Sequence, residues 1–125
     1  MAYQAKSGRK KILVADDDAA DRKLVRMVLG KAHSVIEAGD GEQAVVLAQQ
    51  HKPDVIMLDM MMPRKDGLTA CSEIRANPLT KAIPIIMLTG VGYELNEKLA
   101  VSLGVNRYIT KPFNAQDLLD VIDGL

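Results

Sequence analysis

The sequence is poor in the residues that mark specialised folds. It has one cysteine, Cys71, in 125 residues, which excludes an internal disulfide framework and suits a reducing compartment. It has no tryptophan, one phenylalanine and three tyrosines, too few aromatics to build a stacking platform for bases. Sixteen basic residues balance sixteen acidic ones, so no net charge draws the chain toward nucleic acid or a membrane surface. No apolar run approaches the roughly 20 residues of a membrane-spanning helix. Residues 1–11 lack the apolar segment of a secretory leader, so a cytoplasmic location is expected. The two histidines, His33 and His51, lie far apart and read as ordinary residues at element ends.

What remains is enough for one domain with a real core. The first ten residues, with Lys6, Arg9 and Lys10, are expected to form a solvated, frayed extension, and the domain itself to cover residues 11–125. Along it, apolar β-type runs alternate with helical patterns. Strands are expected at Lys11–Ala15, Ser34–Glu37, Val55–Leu58, Ile85–Leu88 and Arg107–Thr110. Helices are expected at Ala19–Leu29, after an Asp40 cap, after Asp66-Gly67, at Glu94–Leu103 and after an Asn114 cap. In the first helix Leu24, Met27 and Val28 form the apolar face, and Asp40 with Gln43 resembles a capping box. Repeated βα units imply a parallel sheet with helices on both faces. Strands 1, 3 and 4 are the most uniformly apolar, so they belong in its centre.

The chemistry gathers at three strand ends. Ile12-Leu13-Val14-Ala15 runs into Asp16-Asp17-Asp18, Val55-Ile56-Met57-Leu58 into Asp59, and Tyr108-Ile109-Thr110 into Lys111-Pro112. In a parallel sheet these ends share one crevice, where ligands bind. Carboxylates about 4 Å apart repel by roughly 4 kcal/mol at an effective dielectric of 20, so the crevice needs a cation or a proton. The turn after strand 1 is acidic where a phosphate-binding turn would carry glycines and free amides. Oxygen donors without nearby His or Cys suit a hard cation, Mg2+ above all. A solvated acid run capping the first helix is the plain alternative, and Asp18 is read that way. Asp59 ends a buried strand alone, at a cost unless it has partners. It could be a metal ligand, a general base or a nucleophile. An aspartyl nucleophile forming an acyl phosphate has precedent; Mg2+ and a lysine would neutralise the phosphoryl oxygens. Lys111 supplies that lysine, and Thr89 a hydroxyl.

These residues resemble the receiver domain of bacterial two-component response regulators, closest in form to the single-domain chemotaxis type. The likeness rests on Ile12 to Asp17, Asp54 to Asp59 with Met62-Pro63 and Asp66-Gly67, Ile85 to Gly90, and Tyr108 to Phe113. It implies a flavodoxin-like (βα)5 fold with strand order 2-1-3-4-5, as the family is known to have. It implies Asp59 as acceptor of a phosphoryl group from a histidine kinase. Mg2+ would be held by Asp16, Asp17, Asp59 and the backbone carbonyl of Met61. Lys111 would pair with the phosphoryl group, Thr89 would bond to it, and Tyr108 would be the switch aromatic. A cis bond at Lys111-Pro112 is implied too.

The partners implied are a sensor histidine kinase or phosphotransfer protein and a downstream protein target or output domain. No direct nucleic-acid binding or membrane insertion is implied. The chain would catalyse only its own phosphorylation and dephosphorylation. A second reading is a Mg2+-dependent phosphatase or phosphotransferase acting on external substrates through Asp59. It needs a second acid near the nucleophile and a cap over the substrate, and Met61 and the chain length argue against both. A flavin carrier on the same fold is poorer still, given the acidic first turn. Met61 and Val91, two residues past Asp59 and Thr89, are apolar and predict a long-lived phospho-form. Cys71 reads as an inert core residue.

Overall fold

The computed structural model describes residues 3–6, 8–90 and 97–125. Its elements run β1 (Lys11–Ala15), α1 (Ala19–Leu29), β2 (Ser34–Ala38), α2 (Gly41–His51), β3 (Val55–Asp59), α3 (Gly67–Ala76), β4 (Ile85–Thr89), α4 (Glu97–Leu103), β5 (Arg107–Thr110) and α5 (Ala115–Asp123). All strand pairs are parallel, in the order β2-β1-β3-β4-β5. This is the expected flavodoxin-like arrangement, with β1, β3 and β4 inside.

Period-two alternation along the central strands builds two cores. Leu13, Ala15, Ile56, Leu58, Ile85 and Met87 point to one side, onto Ala44 and Ala48 of α2 and Cys71 and Ile74 of α3. Ile12, Val14, Val55, Met57, Ile86 and Leu88 point to the other, onto Val25 and Leu29 of α1 and Leu118 and Ile122 of α5. Every residue of β3 and β4 is buried, which is why their sequences are apolar without alternating polar positions.

The helix starts follow side-chain capping. Asp18, Asp40, Asp66 and Asn114 each accept from a backbone N–H in the first turn of their helix, at 2.7–2.8 Å. At α2 the box is shifted: Gln43 Oε1 accepts from the Gly39 N–H rather than from the cap residue itself. The face of α1 is rotated from the expected one. Val25 and Leu29 are buried, Leu24 and Val28 are half-buried, and Met27 is exposed. The expected start of α4 at Glu94 lies outside the described residues.

Two ties were not anticipated. Tyr3, inside the stretch expected to fray, donates to Asp123 Oδ1 at 2.9 Å and meets His33 Nε2 at 3.2 Å. The Lys10 N–H donates to His33 Nδ1 at 3.1 Å. At the same end of the sheet, Arg75 of α3 bonds the carbonyls of Gly104, Lys81 and Ile83 and the side chain of Asn106. It pins the loop between α4 and β5 against the start of β4.

Candidate functional site

Strand register places the acids. Ala15 is level with Leu58, and Asp59 with Leu88, so Asp16, one residue beyond β1, comes beside Asp59. Thr89 is level with Thr110, which brings Lys111 to the same rim. The Lys111 N–H donates to the Thr89 carbonyl at 2.6 Å, extending that pairing by one residue. The Lys111–Pro112 peptide is cis, as the resemblance implied. Gly67 lets α3 start against the end of β3: a Cβ there would sit 2.1 Å from the Asp59 carbonyl oxygen.

Carboxylate oxygens of Asp16, Asp17 and Asp59 lie within 4.8 Å of one another. Asp16 is fully buried, Asp59 nearly so and Asp17 exposed. Asp16 Oδ1 accepts from the Asp18 N–H at 2.9 Å. Among the described residues Asp16 Oδ2 has no hydrogen-bond donor in good geometry; its close contact is the Lys111 ammonium, an ion pair at 2.7 Å. A buried carboxylate oxygen without a directed donor, beside two further carboxylates, fits a hard cation. Mg2+ takes octahedral oxygen donors at about 2.0–2.1 Å, and this group offers three carboxylates close enough to supply them. Asp16, Asp17 and Asp59 are therefore the side chains that would hold it. Met61, expected to contribute its carbonyl, has an exposed side chain and donates its N–H to Asp59 Oδ1 at 3.3 Å.

Lys111 Nζ touches three carboxylates, Asp16 at 2.7 Å, Asp21 at 3.0 Å and Asp59 at 3.2 Å. Burial pulls its pKa down, but its ion pairs with Asp16 and Asp21 and the charge of Asp59 outweigh it, leaving it above its ordinary value. Asp59 goes the other way. Burial, then the charge of Asp16, push its carboxyl up to about 7, against the pull of Lys111 and the Met61 N–H. Thr89 is fully buried, and its hydroxyl reaches the Ile109 carbonyl and the Thr110 hydroxyl, both at 3.5 Å. Those bonds are long, so the hydroxyl is weakly held. Tyr108 is half-exposed on β5.

The structure thus brings together Asp16, Asp17, Asp59 and Lys111, with Thr89 on the adjoining strand end and Tyr108 farther along the edge strand. Asp18 is the N-cap of α1, as expected. Val91 lies outside the described residues. Asp21 was missed, and its one legible signal was its place in the first turn of the helix that follows the acidic loop.

The family model described as "Response regulator receiver domain" matches residues 12–123. The alkaline phosphatase synthesis transcriptional regulatory protein PhoP of Bacillus subtilis (strain 168) is 40% identical over 110 residues, 87% of this chain and 45% of that protein. The chain spans about half the length of the curated relatives it matches. Among solved structures, the chemotaxis response regulator CheY4 of Vibrio cholerae superposes with a TM-score of 0.84 at 30% identity, covering 91% of this chain and 96% of that one. A response regulator from Chloroflexus aurantiacus J-10-fl gives 0.82 at 33% identity, covering 94% and 99%.

Proposed function

The chain belongs to the response regulator receiver family, a unit of phosphorylation-dependent signalling, and on that premise we propose that Asp59 is its phosphoacceptor. The single observation that carries the reading is the convergence of Asp59 with Asp16, Asp17 and the Lys111 ammonium at neighbouring strand ends. An oxygen of Asp59 attacks the phosphorus of a phosphohistidine on a sensor kinase or phosphotransfer protein. The P–O bond to Asp59 forms, the P–N bond breaks, and the electron pair leaves with the imidazole. With an acyl phosphate as donor, the P–O bond to the carboxylate leaving group breaks instead.

The attack needs Asp59 ionised. Its pKa of about 7 leaves a large protonated fraction at neutral pH when the acids face one another without a cation. Mg2+ bound to Asp16, Asp17, Asp59 and the Met61 carbonyl would supply charge that favours the ionised carboxylate and neutralises phosphoryl oxygens. Lys111 then pairs with a phosphoryl oxygen. The Thr89 hydroxyl turns from its long contacts to another, and Tyr108 turns in as it moves. The surface of α4, β5 and α5 then reports the state to a downstream protein target or output domain. That surface includes a cavity of about 560 Å³ lined by Tyr108, Thr110, Asp117, Asp120 and Val121 among others.

A phosphatase acting on external substrates is less well supported, because Met61 stands where a second acid would be needed. Incubation with acetyl phosphate and Mg2+ tests the proposal. One phosphoryl group per chain is expected by intact mass, and none with Asp59→Asn. Undiminished labelling of that variant would refute the assignment.

A further inference from the structure

We propose that Asp21 is a positioning residue that draws the Lys111 ammonium away from Asp16 and Asp59, so that a divalent cation can take those carboxylates. The proposal rests on the Mg2+ site described above. An ammonium has three N–H donors, and Lys111 faces three carboxylates, at 2.7 Å from Asp16, 3.0 Å from Asp21 and 3.2 Å from Asp59. Two of the three, Asp16 and Asp59, are among the acids grouped closely enough to hold a metal; Asp21 is not. The ammonium and the cation therefore compete for the same two carboxylates, and Asp21 is a counter-charge that only the ammonium uses.

Its placement fits this part. The Asp21 side chain is partly open to solvent, whereas that of Asp16 is fully buried, so Asp21 lies on the outer side of the lysine. The next residue, Arg22, holds α1 in register with the site: its guanidinium donates to the Asp16 carbonyl and to Glu37 of β2. A lysine leaning outward to Asp21 stays within reach of the site when a cation occupies Asp16 and Asp59. Among the described residues, without Asp21 it has no ion-pair partner here except the two carboxylates the cation requires.

The test is a double-mutant cycle on Mg2+ affinity, read by titration calorimetry on the intact chain without any phosphodonor. Asp21→Asn is expected to weaken Mg2+ binding about tenfold when Lys111 is present. In the Lys111→Ala background the same substitution is expected to change it less than about twofold. An equal loss in both backgrounds would mean that Asp21 acts on the cation by its own charge, and would overturn the proposal; so would no loss in either. Asp21→Ser serves the same cycle if the Asn variant does not fold. A merely structural role in α1 would lower the melting temperature of the metal-free protein in both backgrounds without any coupling. Failure of the wild type to bind Mg2+ overturns the metal site and this inference together. Mg2+ binding and Asp59 labelling with additive substitutions overturn the inference alone.

Discussion

Asp59 carries opposing demands within one side chain. Buried beside Asp16, its carboxyl is raised from 3.8 to about 7. Between those values the folded metal-free protein holds a proton that the unfolded chain has released, so stability falls as pH rises through that window. Asp59→Asn should therefore stabilise the metal-free protein by about 1–2 kcal/mol at pH 8 and change little near pH 4; urea melts with a chelator at both pH values check this. His33 has the opposite sign. Burial first, then the charges of Lys10 and Arg9, lower its pKa below 6.5, while Asp123 opposes them. A protonated ring would set an N–H against the Lys10 N–H that its Nδ1 accepts. Its contribution is full above pH 6.5 and is lost as pH falls through the lowered pKa of the folded ring. His33→Gln should flatten the stability profile between pH 7 and 5. The strand-end residues were legible because an acid or a lysine ending an apolar run has few structural excuses. Asp21 and Tyr3 were not, since a first-turn acid and a terminal tyrosine occur in helices and tails of every kind.

At the level of elements, close backbone approach matters more than propensity. Helix α3 begins where Gly67 packs on the Asp59 carbonyl. Gly67→Ala should force α3 outward, cost about 2–3 kcal/mol and slow labelling of Asp59; unchanged denaturant midpoint and labelling rate would refute the account. Arg75 serves the opposite end, with guanidinium bonds to three carbonyls and Asn106. Arg75→Ala should cost about 2 kcal/mol by stranding those acceptors, measurable in the same melts. Strand positions were readable because their apolar runs are short and bounded by Pro, Gly or acids. The rotation of α1 was not. Leu24, Val25, Met27, Val28 and Leu29 offer several apolar stripes, and only the neighbouring α5 and sheet decide that Val25 and Leu29 go inward.

For the molecule as a whole, the apolar Met61 and Val91 predict a phospho-form that persists for minutes or longer, because neither side chain can orient a water for attack. Phosphate release at saturating Mg2+ measures it, and a half-life of seconds would sink the idea. Composition excluded disulfide, stacking and charge-driven classes, and the alternation of apolar runs with helical periods by itself determined a parallel α/β sheet with its acids at the carboxyl ends. These are properties of single segments, read from period and chemistry. Tertiary structure alone decided how closely those charges meet and added Asp21 to them. Strand register paired Ala15 with Leu58 and so carried Asp16 to the side of Asp59, helix packing brought Asp21 to within 3.0 Å of Lys111, and burial lifted the Asp59 pKa. Each depends on distances between residues far apart in the chain, and no local pattern encodes a distance of that kind.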